Sequence, residues 1–125
     1  MYLGIDNSSD GKAIFYKWKD NRFSIEEKPL NESGDLLLGL QLVLKKENLS
    51  LNDLQGLAVR VGVGKFTSTR VAVTVVNTLA YALKIPVVGV KEFMENTVAE
   101  IKRQTPGIYV SAAYSGEPNI GKKKE

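Results

Sequence analysis

Apolar and polar positions along the chain fall into two rhythms, one of period two and one of period near 3.6. Tyr2 to Asp6 is a short apolar run that ends in Asp6-Asn7-Ser8-Ser9-Asp10-Gly11, a cluster of turn formers. Ala13 to Trp18 and Arg22 to Glu26 follow, separated by Asp20-Asn21, which suits a tight hairpin. In the second of these runs Phe23 and Ile25 alternate with Ser24 and Glu26, as in a half-buried strand. Three antiparallel strands therefore open the fold.

Beyond Pro29 the helical rhythm takes over. Asp35 to Glu47 places Leu36, Leu37, Leu40, Val43 and Leu44 on one stripe, with Leu38 and Leu42 pointing away from it beside Gly39. Ser50-Leu51-Asn52-Asp53 reads as a capping box on a short turn. Leu57 to Val61 is then a strand, Thr67 to Lys84 a helix, Pro86 to Val90 a strand, Lys91 to Arg103 a helix, and Ile108 to Ala112 a last strand. Arg70 to Val76 is rich in Val and Thr, which favours a strand locally. Its continuation to Lys84 without a breaker decides for helix. The order βββαβαβα predicts an α/β fold with one ribonuclease H-like, actin-like lobe, a mixed sheet carrying helices on its faces. Residues 1–117 form that lobe and 118–125 a basic tail.

Two helices carry more apolar surface than a core contact requires. Around Thr67 to Lys84, the residues Arg70, Thr74, Asn77, Tyr81 and Lys84 occupy one narrow side. Apolar residues cover roughly 200° of arc, against the ~100° that one packed face needs. The surplus marks Leu38, Leu42, Val71, Val75, Leu79 and Ala82 as candidates for a partner interface, some of them pairing within the lobe instead.

Composition sharpens this picture by exclusion. A length of 125 residues holds one domain. No apolar run approaches the roughly 20 residues of a membrane span, and no leader is evident at the N-terminus, so a cytoplasmic protein is expected. With no cysteine there is no disulfide framework and no thiol nucleophile. With no histidine, a Ser-His-Asp triad cannot be built and the commonest transition-metal ligand is missing. No metal site, cofactor or catalytic residue is expected. The net charge of +3 owes part of its value to Lys122-Lys123-Lys124, which reads as a solvated tail.

Gly62-Val63-Gly64-Lys65-Phe66-Thr67-Ser68 invites a phosphate-loop reading, since amides at a helix start favour anions. A Walker A loop, however, needs Gly where Val59 stands and Ser or Thr at Phe66. A tight turn, with Thr67 or Ser68 helping to cap the helix, accounts for the residues better. Asp6 and Asp10 sit where actin-like ATPases carry their first phosphate loop, and side-chain bonds within a hairpin turn are the plainer role.

Leu57-Ala58-Val59-Arg60-Val61-Gly62-Val63-Gly64-Lys65-Phe66-Thr67-Ser68-Thr69-Arg70 resembles the signature of the TsaB family, which serves threonylcarbamoyladenosine synthesis on tRNA. Gly62, Gly64, Phe66, Thr67 and Arg70 are the matching loop positions, and Ile85-Pro86-Val87-Val88-Gly89-Val90 matches the family's next strand. Gly4-Ile5-Asp6-Asn7-Ser8-Ser9 is similar to its N-terminal start, with Asp6 as a vestigial phosphate-loop position. Val63, Lys65 and Ser68-Thr69 depart from the pattern, and Glu32 stands near a common family histidine. The resemblance implies a non-catalytic subunit that binds a TsaD-like catalytic subunit through its helices, with a TsaE-like ATPase nearby, tRNA contacted only indirectly, and a homodimer in isolation. Two rivals stay open: a small ATPase or phosphotransferase using Asp6 and the Gly62 to Lys65 loop, and an RNA-binding module using Arg60, Lys65, Arg70 and the tail.

Overall fold

The computed structural model describes residues 1–9, 11–29, 36–62 and 66–111. Asp10, Glu32, Asp35, Val63, Gly64, Lys65 and residues 112–125 lie outside the described residues, as does the side chain of Phe66.

Strands β1 (Tyr2–Asp6), β2 (Lys12–Lys19) and β3 (Arg22–Pro29) open the chain. They are followed by helix α1 (Leu36–Lys46), a 3₁₀ turn (Leu51–Asp53), β4 (Gly56–Arg60), α2 (Phe66–Leu83), β5 (Val87–Val90) and α3 (Thr97–Arg103). The sheet order is β3-β2-β1-β4-β5. The pairs β1–β2 and β2–β3 are antiparallel, while β1–β4 and β4–β5 are parallel. This is the α/β lobe expected from the order of elements. The hairpin turn is likewise where Asp20-Asn21 placed it, both residues having positive φ, 51° and 65°.

Strand pleating sorts the side chains. Leu3, Ile5, Ala13, Phe15, Leu57, Val59 and Val87 are buried on one face, beneath α1 and α2. From above, Leu36, Leu40, Val43 and Leu44 of α1 and Ala72, Val73, Val76, Leu79 and Ala80 of α2 close the core. The opposite face receives α3, whose Ile101 is fully buried, and the ring of Phe93. Phe93 lies flat over Gly4, where a Cβ would come within 2.5 Å of its Cε1. That close approach is why a glycine sits mid-strand there.

Four expectations are corrected. The last helix begins at Thr97, not Lys91. Phe93 is drawn back onto the sheet to stack on Tyr16, with centroids 4.2 Å apart, and the Thr97 hydroxyl accepts the Met94 N–H at 2.9 Å. Met94 is therefore outside the helix and exposed. Ile108 to Ser111 form no strand; the Asn77 side chain takes up the backbone of Val110 instead, donating to its carbonyl at 2.9 Å and accepting its N–H at 3.0 Å. Leu37 leaves the core stripe of α1 for solvent. Phe23 and Ile25 are both 54% exposed rather than half-buried, because β3 is the edge strand and no helix covers that end of the sheet among the described residues.

Candidate functional site

Two places in the fold carry the residues singled out above, and a third stands apart from them. The first is the outer surface of α1 and α2, which lie against one another on the same face of the sheet. Leu38 and Leu42, one turn apart on α1, are 47% and 46% exposed. Val71 on α2 is exposed, Val75 half-buried and Ala82 exposed, along one row of the helix. Thr67, Arg70, Val71, Thr74 and Val75 line an open, largely apolar groove on this surface. Leu79 is turned inward and is 8% exposed, so it serves the core rather than the outer row. Neither helix contains an acidic residue, whereas Lys45, Arg70 and Lys84 stand on or beside them. Glu47 follows Lys46 directly at the end of α1, so the border of this apolar face carries both signs of charge.

The second place is the end of β1. Asp6 is buried, and both carboxylate oxygens are engaged. Oδ1 accepts the Ser8 N–H at 2.9 Å and the Ser8 hydroxyl at 2.5 Å, and Oδ2 accepts from Arg60 Nη1 at 2.9 Å. Burial pushes this carboxyl up, but the two Ser8 bonds and the Arg60 guanidinium outweigh it and hold Asp6 below the usual carboxylate range. Arg60 is itself fixed by a bond from Nε to the Lys91 carbonyl at 2.9 Å. Asn7 Nδ2 donates to the Ser68 carbonyl at 2.9 Å, tying this loop to the first turn of α2. Gly62 has φ +79°, a left-handed conformation that favours glycine. Thr67 and Ser68 lie within the first turn of the helix rather than before it. The local bonding expected for Asp6 is therefore present, and the ion pair with Arg60 is added to it. Arg60 is thus held by Asp6 and the Lys91 carbonyl while staying partly exposed. Among the described residues no group of three acidic side chains gathers to hold a metal ion.

The third place is a charged cluster under α1. Lys17 projects from β2 beneath α1 and is buried. Its Nζ lies 2.9 Å from Glu26 of β3 and 3.1 Å from Glu47 at the end of α1. Burial alone would lower the Lys17 pKa, but its bonds to Glu26 and Glu47 raise it. Glu26 is also met by Lys28 at 3.0 Å and Lys46 at 3.5 Å. Burial raises the Glu26 pKa, yet the lysines overcome that and bring it to about 2. This cluster joins the hairpin to α1, and its Lys17 and Glu47 also line a polar pocket with Met1, Lys19, Asp20 and Arg22. The β2 alternation contained its signal, since Ala13, Phe15 and Lys17 share the buried phase.

Comparison with known proteins places this arrangement. Residues 34–117 match the family described as TsaD: tRNA N6-adenosine threonylcarbamoyltransferase. The chain is 32% identical over 91 residues to the tRNA threonylcarbamoyladenosine biosynthesis protein TsaB of Buchnera aphidicola subsp. Schizaphis graminum, covering 72% of this chain and 43% of that protein. Among solved structures, YeaZ from Pseudomonas aeruginosa superposes with a TM-score of 0.64 at 26% identity, over 73% of this chain and 44% of YeaZ. A second solved structure, an uncharacterized protein similar to peptidase YEAZ from Pseudomonas aeruginosa, gives the same TM-score of 0.64 and 26% identity. The chain spans less than half the length of each of these relatives. Among the described residues no helix is long and apolar enough to cross a membrane.

Proposed function

The chain belongs to the TsaB/YeaZ family, and on that footing we propose that it is a non-catalytic partner subunit in the synthesis of threonylcarbamoyladenosine on tRNA. It docks on a TsaD-like catalytic subunit through α1 and α2, in the cytoplasm, with a TsaE-like ATPase as a further component and with tRNA reached only through the assembly. The observation that carries this reading is the row Leu38, Leu42, Val71 and Ala82, left outside the core on two adjacent helices, with Val75 half-buried at its edge. Exposed stripes on paired helices are commonly covered by a second helix pair in a four-helix contact.

The engaged Asp6 supports a subunit that does not bind nucleotide. Its carboxylate helps to hold the loop and the start of α2 in place.

Leu42→Asp tests the proposal. At 46% exposure the position tolerates a carboxylate in the free subunit. At the centre of a docked interface the same charge is buried without a partner, typically at a cost of several kcal/mol. Binding to the TsaD protein of the same genome, followed by calorimetry, should weaken by about a hundredfold or more, with the circular dichroism of the monomer unchanged. A wild-type chain that ignores TsaD ends the proposal, and a variant that unfolds assigns Leu42 to the core.

A further inference from the structure

On the sheet face away from α1 and α2, α3 packs chiefly against β4 and β5 and leaves the hairpin end open among the described residues. Pleating gathers aromatic side chains there. Trp18 stands opposite Phe23 in the β2–β3 ladder, and Phe93 is laid beside them over Gly4. The Trp18 and Phe23 rings lie 5.5 Å apart between centroids and are inclined by 35°. Trp18 and Phe93 lie 6.2 Å apart at 50°. Tyr16 backs Phe93 by stacking on it at 4.2 Å. Trp18, Phe23, Phe93, Met94 and Glu95 line a pocket of about 520 Å³. Phe23 and Met94, at 54% and 59% exposure, form its mouth. Among its described lining residues Glu95 is the only charged side chain.

We propose that this pocket binds a small quaternary ammonium compound. The face of an aromatic ring carries negative potential and attracts a cation within about 6 Å of its centroid. Rings inclined to one another converge on a compact head group, whereas a flat base needs a level platform. The carboxylate of Glu95 adds charge of the complementary sign, and the Met94 thioether adds a polarizable wall. The same sheet face already holds one ammonium in this way: Lys102 Nζ lies 5.6 Å from the centroid of Tyr2, which stands opposite Trp18 across β1 and β2. A primary ammonium brings three N–H donors, and a single carboxylate among apolar walls leaves two of them to be satisfied elsewhere. A quaternary head has no N–H to satisfy. A nucleotide would bring phosphate to Glu95 and meet no lysine or arginine among the described lining residues. The volume is enough to enclose the whole of a small ligand.

Trp18 is the chain's single tryptophan, so its fluorescence reports occupancy of the pocket directly. The full chain is titrated with choline chloride against sodium chloride of equal ionic strength. A saturable change is expected with choline and none with the sodium salt. The alcohol in which carbon replaces choline's nitrogen has the same shape without the charge, and should bind about tenfold more weakly. Phe23→Leu keeps an apolar side chain but removes a ring, and should weaken choline about fivefold while leaving the neutral alcohol unchanged. Glu95→Gln, at an exposed position, should likewise weaken choline alone. Neither residue lies on α1 or α2, so the outcome is independent of the proposed function. No saturable response to choline, or equal binding of choline and the alcohol, overturns the proposal. Tighter binding of adenosine monophosphate overturns it in favour of a nucleobase, and tighter binding of a trimethyllysine peptide overturns the small ligand. Should Phe23→Leu unfold the protein, Glu95→Gln and the pair of ligands still decide.

Discussion

Protonating Glu26 should loosen the hairpin from α1, and the geometry sets how much stability is at stake. Glu26 is 11% exposed at its side chain and accepts ion pairs from Lys17 at 2.9 Å, Lys28 at 3.0 Å and Lys46 at 3.5 Å. Its pKa falls from 4.5 to about 2 on folding. At about 1.4 kcal/mol for each tenfold change, that fall corresponds to about 3 kcal/mol of stability as an upper bound. Lys28 and Lys46 are 27% and 65% exposed, so solvent screening at those two partners reduces the figure to about 2 kcal/mol. Because the folded pKa is depressed, the contribution is fully present above pH 4.5 and is lost as pH falls from there towards 2. Glu26→Gln abolishes the titration while keeping the shape of the side chain. Urea unfolding at pH 7 should find the variant less stable by about 2 kcal/mol. Between pH 6 and pH 2.5 the wild type should approach the variant, since only the wild type has this group to lose. Two stability curves that run parallel across that interval would refute the reasoning, for they would mean that Glu26 titrates alike in the folded and unfolded chain.

Two further substitutions probe the backbone. Gly62 has φ +79° and open space where a Cβ would stand, so Gly62→Val should destabilise through conformation alone, by about 1–2 kcal/mol in a thermal melt; an unchanged melting temperature would show that the turn relaxes freely. Asn77→Leu removes both bonds to Val110 and leaves its N–H and carbonyl unpaired, so stability should fall by about 1–3 kcal/mol and the Val110 amide should lose its protection from hydrogen exchange; retained protection would show that the segment is held by its apolar contacts.

The elements that could be read from sequence are those specified by neighbours in the chain. Asp20-Asn21 announced its hairpin because two consecutive residues tolerant of positive φ are what a type I′ turn needs, and φ values of 51° and 65° meet that need. The stripe of α1 was legible from its 3.6-residue period, and α2 because its run to Lys84 without a breaker is too long for a typical strand. Tertiary contacts displaced the expectations that failed. Lys91 to Asn96 has helical composition, but the gain from laying Phe93 over Gly4 and Tyr16 exceeds what a further turn of helix would supply. Ile108 to Val110 has a strand's composition, yet the Asn77 side chain takes up its backbone bonds.

The candidate surfaces divide along the same line. An apolar excess on a helix is a local property, so Leu38, Leu42 and Val71 could be singled out before any fold was known, while the inward turn of Leu79 depended on how α2 rotates over β4. The ion pair of Asp6 joins residues 54 apart in sequence, and that of Lys17 with Glu47 joins residues 30 apart. Nothing periodic links such positions. In each case only half of the pair was visible: an acid at the end of β1, and a lysine in the buried phase of β2. A buried lysine demands an acidic neighbour whatever the fold, so the alternation of Ala13, Phe15 and Lys17 already required a carboxylate under α1. Which carboxylate answers it depends on the path of the chain between β2 and the end of α1.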